Sequence, residues 1–450
     1  MTRKFLSPPL ALTLLFPLWI ALPMSGAENS PTTAAPAVAS APTNPNNLGS
    51  DANGNPLRRA PRTGHISNYD EAKVGHYTLP DPLVSANGER VTQADTWARG
   101  RRPEILNLYQ TEIFGRVPSA APRVRFENVL SETISLNGTQ ALHRHAIVHI
   151  GEGASALKVN VHTYLPPSSS KPVPVLLHVT FATNTATPPT TPPTEGPPNR
   201  PSEAGPVVDM LGRGFGYALV RYTEIQPDNA TTHASGLQAL SYAPGQTKPA
   251  DDEWGTIATW SWGLSRVLDY LATDAAVDAQ RVAVIGHSRL GKTALWAGAS
   301  DPRFALIFSS CAGEMGSALA RRDFGESLDD MAGNFGWQFA GNLQKYPGHW
   351  NELPVDAHML IALCAPRPVF ITGGTKDQWA DPKGEFLAEV AAAPVYELLG
   401  KRGLGITELP ALDTPVIDGD LGFHYHTGGH TITPSDWTAF LTFAARHLKP

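Results

Sequence analysis

The segment RVAVIGHSRLGKTALW, residues 281–296, passes from a run of β-branched residues through a short turn into a helix-forming run. The predicted strand ends at Gly286, and the predicted helix covers residues 292–299. A serine on such a sharp strand-to-helix turn projects its Oγ beyond the edge of a sheet. The segment therefore predicts that Ser288 is a nucleophile. The backbone N–H of Arg289, close to the helix N-terminus, can donate to a developing oxyanion.

Apolar runs bounded by turn residues predict short buried strands on both sides of this segment. They alternate with helical stretches, of which residues 255–272 are the clearest because apolar side chains recur there at helical spacing. Strands that alternate with helices predict a largely parallel sheet covered on both faces. The expected fold class is α/β, as a three-layer α/β-hydrolase sandwich with a mostly parallel central sheet. The predicted strands are Val173–Val179, Tyr217–Tyr222, Arg281–Ile285, Phe304–Ser309 and Arg367–Thr372.

Composition divides the chain into three parts. Residues 1–27 combine early basic residues, an apolar run and a Ser-Gly-Ala cleavage site, which predicts a signal peptide and a secreted or periplasmic protein. The alternative is a membrane anchor, but the run is short and is interrupted by prolines. Residues 28–67, rich in Pro, Ala, Ser and Asn, are predicted to be a disordered linker. Residues 68–450 are predicted to form one catalytic domain with a Pro/Thr-rich surface loop at 183–206.

Charge and cysteine content narrow the classes of partner. The net charge of −6 gives no basic field for a polyanion, so no nucleic-acid partner is expected. The chain has two cysteines, Cys311 and Cys364, and their pairing stays open at this point. They lack zinc spacing and no HExxH helix is present, so no metal mechanism is predicted. We expect a monomer without membrane association once the signal peptide is removed.

The nucleophile turn departs from the common Gly-x-Ser-x-Gly pattern, because Leu290 stands where the last glycine is usual. In the form Gly286-x-Ser288-Arg289-x-Gly291-Lys292, it resembles the glucuronoyl esterase family of carbohydrate esterases. The resemblance covers roughly residue 68 to the C-terminus, and other stretches look like bacterial members. These stretches are Trp260-x-Trp262-Gly263-Leu264-x-Arg266, Arg321-Arg322-x-Phe324-Gly325-Glu326 and Gln378-Trp379-Ala380-Asp381-Pro382.

This resemblance implies a specific reaction. The family hydrolyses esters between (4-O-methyl-)glucuronate on xylan and alcohols of lignin, without a cofactor, so the expected partner is a glucuronoxylan or lignin–carbohydrate ester. Two other functions stay open. One is an acetyl xylan esterase or another small-acyl esterase, and the other is an inactive carbohydrate-binding module on the same fold.

A serine nucleophile needs a base, and in α/β-hydrolases the histidine lies in the last loop before the C-terminal helix. The stretch before the predicted helix near Pro434 contains His424, His426 and His430. The resemblance places the base at His430. The other two histidines are alternatives, with structural hydrogen bonds as their ordinary role.

The acid that orients the base has several candidates. Asp377 follows the predicted strand at 367–372, which is the usual position of the acid in α/β-hydrolases, and we favour it. Some members of the resembled family carry a glutamate where this sequence has Cys311, which cannot serve. Glu314 and Asp381 are the alternatives, and for Asp381 a turn or helix-capping role is the simpler interpretation.

The resemblance also implies residues that hold the substrate. Lys292, Glu326 and Trp379 are expected to contact the sugar, with Gln338 as a weaker candidate, and the side chain of Arg289 is expected to share the oxyanion role. Charged groups suit sugar hydroxyls because charge-assisted hydrogen bonds are strong, and an indole can cover a pyranose face. Each residue also has an ordinary structural alternative, such as pairing of Glu326 with a nearby arginine.

Overall fold

The computed structural model describes residues 45–119, 121–167, 169–182, 185–186, 205–231 and 233–450. The predicted signal peptide, the first part of the predicted linker and most of the Pro/Thr-rich loop lie outside these residues and stay predictions. Pro45–Pro450 form one compact unit. Every helix in the described part of the chain is too short or too polar to cross a lipid bilayer.

Nine strands of the described residues form one mixed sheet, and two more form a separate hairpin near the N-terminal end of the unit. The strands are β1 (Asn47–Ser50), β2 (Pro56–Arg58), β3 (Val124–Leu136), β4 (Thr139–Ile150), β5 (Leu157–Leu165), β6 (Val173–Thr180), β7 (Gly216–Arg221), β8 (Val277–His287), β9 (Leu306–Ser310), β10 (Val369–Gly374) and β11 (Leu421–His426). The order in the large sheet is β11-β10-β9-β8-β6-β7-β5-β4-β3. Neighbours from β11 to β7 are parallel, and β5, β4 and β3 continue the sheet in antiparallel pairs.

Helices connect and cover these strands. They are α1 (Ala94–Thr96), α2 (Arg102–Leu108), α3 (Val207–Gly212), α4 (Gly236–Ala239), α5 (Thr256–Leu271), α6 (Arg289–Ser300), α7 (Leu328–Asn334), α8 (Ala357–Cys364), α9 (Pro382–Leu398) and α10 (Pro434–Leu448). Short 3₁₀ or π turns lie at Glu71–Lys73, Trp97–Arg101, Tyr109–Ile113, Gly153–Ser155, Tyr222–Glu224, Gly336–Gln338, Gly341–Lys345, Trp350–Glu352 and Gln378–Ala380.

The central strands are buried on both faces. In β8, Val282 and Val284 belong to the apolar cluster that includes residues of α5, α6, α8 and α9. Ala283 and Ile285, which point to the opposite face, belong to the cluster that includes residues of α3 and α10. A strand without a polar face must be covered on both sides. The predicted three-layer α/β sandwich with a mostly parallel sheet is therefore confirmed.

The five predicted strands correspond to β6, β7, β8, β9 and β10, and the clearest predicted helix corresponds to α5. The sequence prediction missed β3, β4 and β5, as well as β11, which occupies part of the expected last loop. Most of β3 is exposed, so it lacks the apolar run that marked the buried strands. Cys311 and Cys364 are both free, buried thiols.

The disordered linker predicted for residues 28–67 is wrong for the part from residue 45 onward. Strands β1 and β2 pair as an antiparallel hairpin, and the backbone N–H of Arg58 donates to Ser67 Oγ at 3.1 Å. Arg62 Nη1 reaches the carbonyl oxygen of Gln344, far along the chain. The prediction failed because it counted apolar residues, whereas polar and backbone hydrogen bonds hold this segment in place.

Candidate active site

Ser288 occupies the turn between β8 and α6. Its φ of 59° lies in the left-handed region, which residues other than glycine rarely adopt. The turn is held by the Ser288 N–H, which donates to Ser310 O at 2.8 Å, and by the Gly291 N–H, which donates to Ser288 O at 2.8 Å. A Cβ at Gly286 would lie 1.9 Å from the carbonyl oxygen of Leu290. The backbone at residue 286 can therefore pass this close to Leu290 only because glycine has no side chain. The predicted strand–turn–helix arrangement is present.

His430 and Asp377 form a hydrogen-bonded pair beside this turn. Asp377 follows β10, His430 follows β11, and His430 Nδ1 lies 2.6 Å from Asp377 Oδ2. Asp377 is 4% exposed. Burial opposes a charged imidazole, but the charge of Asp377 and its hydrogen bond outweigh it, so the pKa of His430 is raised above its ordinary value. An imidazole in this setting can accept a proton and have the resulting charge stabilised.

The other candidate acids have different neighbours. Glu314 is 2% exposed, and burial raises the pKa of its carboxyl well above the ordinary value. Its Oε1 is buried without a hydrogen-bond partner among the described residues. Asp381 Oδ2 accepts from Arg322 Nε at 2.9 Å, which is a buried ion pair. The geometry therefore brings Asp377 to His430 and assigns Asp381 a structural contact.

The other two histidines of the C-terminal region lie within β11, where both point to one carboxylate of α10. His424 Nδ1 is 2.7 Å and His426 Nδ1 is 3.1 Å from Asp436 Oδ1. All three side chains are almost completely buried. These histidines join the last strand to the last helix through Asp436, and His426 Nε2 also lies 3.2 Å from the backbone oxygen of Gly429. Both histidines therefore have structural hydrogen-bond partners.

One cleft of about 580 Å³ is lined by all eight residues predicted for the site. It opens at the carboxyl edge of the parallel strands, because Ser288, Asp377 and His430 each follow one of these strands. The lining residues are Ser288, Arg289, Lys292, Glu326, Gln338, Asp377, Trp379 and His430 from the prediction, with Gly54, Pro56, Arg58, Cys311, Met331, Phe335, Lys376 and Ala380 in addition.

Comparisons with known proteins agree with this arrangement. A family model described as glucuronyl esterase, fungi, matches residues 247–400. Among solved structures, the glucuronoyl esterase from Solibacter usitatus is 39% identical, with 84% of this chain and 100% of that chain covered and a TM-score of 0.76. The chain belongs to the glucuronoyl esterase family. A glucuronoyl esterase from Teredinibacter turnerae is 35% identical, with 87% and 95% covered and a TM-score of 0.74. The curated 4-O-methyl-glucuronoyl methylesterase of Schizophyllum commune is 28% identical, over 72% of this chain and 74% of that protein.

Membership of the glucuronoyl esterase family makes this protein a carboxylic ester hydrolase with an α/β-hydrolase fold. In the cleft, Lys292 and Glu326 form a buried pair. Lys292 Nζ donates to Glu326 Oε1 at 3.1 Å and to Ala312 O at 2.6 Å. Glu326 Oε1 also accepts from the Glu314 N–H at 2.8 Å. Among the described residues, Glu326 forms no ion pair with an arginine, which was the structural alternative considered from the sequence.

Trp379 lines the cleft and is partly exposed, so it is not a core residue. The guanidinium carbon of Arg58 lies 4.8 Å from the centre of its ring. Arg58 belongs to β2, in the segment that the sequence analysis took for a linker. A cation that covers one face of an indole leaves only the other face and the edge of the ring for contact with a ligand. The N-terminal hairpin therefore helps to fix the orientation of a cleft residue.

Asp228 connects two residues that line the cleft, Arg289 and Gln338, with the neighbouring Trp337, and the sequence analysis missed it. Its Oδ2 accepts from Arg289 Nη1 at 2.5 Å, while its Oδ1 accepts from Trp337 Nε1 at 2.9 Å and Gln338 Nε2 at 3.1 Å. The Asp228 side chain is 6% exposed. The available signal was its position shortly after β7, where polar residues at the carboxyl edge of a parallel strand tend to reach the site.

Proposed function

We propose that this protein hydrolyses esters of (4-O-methyl-)glucuronic acid on xylan with lignin alcohols, through a Ser288–His430–Asp377 triad and an acyl-enzyme. The observation that carries this proposal is the 2.6 Å contact between His430 and Asp377 in the same cleft as Ser288. A serine in a left-handed turn, an imidazole and an orienting carboxylate are the parts that nucleophilic ester hydrolysis needs.

The proposed reaction runs in two steps. Ser288 Oγ attacks the ester carbonyl carbon while His430 takes the hydroxyl proton, and Asp377 stabilises the imidazolium. The tetrahedral intermediate collapses as its C–O bond to the alcohol breaks, and His430 returns the proton to the leaving alcohol. Water then attacks the acyl carbon while His430 takes one of its protons. The second tetrahedral intermediate collapses as the bond between the acyl carbon and Ser288 Oγ breaks, and His430 returns the proton to Ser288, which releases the glucuronate.

Arg289 supports the oxyanion of both tetrahedral intermediates in this proposal. It is the first residue of α6, so its backbone N–H lies at the positive end of the helix dipole. Its guanidinium is held by Asp228 and lies 5.7 Å from the centre of the Phe335 ring. A donor that is already oriented needs no rearrangement when the negative charge develops. Asp228 therefore acts as a positioning residue for Arg289.

Lys292 and Glu326 are proposed to hold the uronate ring. Two of the three ammonium N–H groups of Lys292 are used in the bonds to Glu326 and Ala312, which leaves one for a sugar hydroxyl. Both hydrogen bonds that Glu326 accepts from the described residues fall on Oε1, which leaves Oε2 for another hydroxyl. An acetyl group offers no hydroxyl to these buried charged groups, so a small acyl ester should leave them unsatisfied.

The test compares kcat/KM for benzyl glucuronate and for 4-nitrophenyl acetate. We expect the wild type to prefer the glucuronate ester. Glu326→Ala and the more conservative Glu326→Gln should lower kcat/KM for that ester by about 10- to 100-fold, because a hydrogen bond to a charged group contributes about 1.5–3 kcal/mol. The acetate ester should change much less. Exposed Glu408 makes no ion pair with the described residues and does not line the cleft, so Glu408→Ala is the matched control, and Ser288→Ala is the inactive control.

Two results would contradict this function. Preference for the acetate ester, with Glu326→Ala affecting both substrates equally, would replace it with the small-acyl esterase. Absence of turnover of either ester by the wild type, together with xylan binding, would favour the carbohydrate-binding module.

A further inference from the structure

Cys311 places a thiol against the proposed catalytic base and acid. It follows β9 directly and has a φ of 46°, which is left-handed like that of Ser288, the residue that follows the neighbouring strand β8. It is 1% exposed and lines the cleft. Ligand atoms of Cys311, Asp377 and His430 all lie within 4.8 Å of one another. A thiol, a carboxylate and an imidazole thus converge at one point of the cleft.

This set of side chains matches the ligands that zinc prefers. Zinc binds thiolate sulfur at about 2.3 Å and imidazole nitrogen at about 2.0 Å, so tetrahedral neighbours lie about 3.5 Å apart. The ligand atoms lie within 4.8 Å of one another, so a bound ion would draw the more distant atoms closer, while the 2.6 Å contact between His430 Nδ1 and Asp377 Oδ2 would have to open. Three protein ligands with an open fourth position also describe many zinc sites that keep a bound water.

The charges on α6 permit a cation at this point, and the further cations that line the cleft are Arg58 and Lys376. The two cationic side chains on α6 are already neutralised, since Lys292 pairs with Glu326 and Arg289 pairs with Asp228. Binding would release the proton of the Cys311 thiol, so the cation would meet a thiolate and the carboxylate of Asp377. The negative charge of these two ligands equals the charge of a divalent metal ion.

We infer that Cys311, Asp377 and His430 form a binding site for a thiophilic divalent cation of the zinc class, and that an ion bound there inhibits the esterase. The inhibition rests on the proposed role of His430, because an imidazole bound to a metal ion cannot act as the base. The binding itself does not depend on that role. An experiment can therefore disprove the inhibition without disproving the binding of the metal ion, and the reverse.

The experiment measures both properties on the whole protein. Co²⁺, added after treatment with a chelator, should give one thiolate-to-cobalt charge-transfer band in the near ultraviolet. Zn²⁺ should inhibit hydrolysis of the glucuronate ester, and EDTA should reverse the inhibition. In Cys311→Ser and Cys311→Ala, the cobalt band should be absent. The zinc concentration for half inhibition, taken relative to the zinc-free activity of each variant, should rise at least about tenfold.

Cys364→Ser is the matched control, because Cys364 is the second buried thiol and lies in α8, outside the cleft. This variant should keep both the cobalt band and the zinc inhibition of the wild type. Zinc inhibition that is unchanged in both Cys311 variants, or the absence of a cobalt band in the wild type, would overturn the inference. A Cys311-dependent band without inhibition would support the metal site and count against His430 as the base.

Discussion

Asp228 gives the sharpest test of how the site is held together. It accepts from Arg289 Nη1 at 2.5 Å with a side chain that is 6% exposed, and Arg289 is itself 33% exposed. If Arg289 stabilises the oxyanion, its orientation depends on this contact. Asp228→Asn keeps an acceptor oxygen for the neighbouring indole and amide N–H groups but removes the negative charge that holds Arg289. Asp228→Ala removes both.

Two known effects bound the expected fall in kcat of the Asp228 variants. Loss of a complete oxyanion donor costs about 10²–10³ in kcat. Loss of one partner of a hydrogen bond to a charged group costs about 1.5–3 kcal/mol, which is about 10- to 100-fold. Arg289 remains in the cleft in both variants but is no longer held, so we expect kcat to fall about 10- to 100-fold in Asp228→Ala and less in Asp228→Asn.

The assay measures kcat and KM for the glucuronate ester and for 4-nitrophenyl acetate in Asp228→Ala, Arg289→Ala and the double variant. The oxyanion forms with both substrates, so kcat should fall for both. If Asp228 acts through Arg289, the double variant should be no slower than Arg289→Ala alone. Asp252→Asn is the control, because Asp252 is an exposed aspartate that pairs with an arginine on the surface.

Three results would refute this reasoning. The first is an unchanged kcat in Asp228→Ala. The second is a cost that adds in full to that of Arg289→Ala, which would separate the two residues. The third is a rise in KM for the sugar ester alone, which would mean that Asp228 acts through Gln338 on substrate binding.

The remaining predictions concern the acid and the pH dependence of stability. Asp377→Asn should lower kcat by about 10⁴, whereas Glu314→Gln should have little effect, and the reverse ranking would move the acid to Glu314. Burial lowers the pKa of His178 to about 3, so this histidine stays neutral in the folded protein while the unfolded chain takes up a proton near pH 6.5. The free energy of unfolding, measured by urea denaturation, should therefore fall as the pH decreases from 6.5 towards 3. Between pH 6 and 4, this fall should be less steep in His178→Gln, by up to about 1.4 kcal/mol per pH unit, and equal slopes would contradict the assignment.

The sequence by itself determined the turn that carries the proposed nucleophile, Ser288, and the central parallel strands of the sheet. Gly286, Ser288 and the helix after them specify one local backbone path, because only glycine fits against Leu290. The apolar runs that predicted the parallel strands are buried on both faces, so burial and local pattern agree. Such features depend on residues that are close together in the sequence, so they can be read from the amino-acid sequence without the fold.

Tertiary structure decided which distant groups meet. Asp377 and His430 are 53 residues apart and become partners because β10 and β11 are adjacent in the sheet. The contacts of Asp228 with Arg289 and of Arg58 with Trp379 join segments even farther apart. Strand order and the path of the N-terminal segment set these distances. Polar residues that bond across the fold leave no periodic pattern in the sequence, so only the folded chain could reveal them.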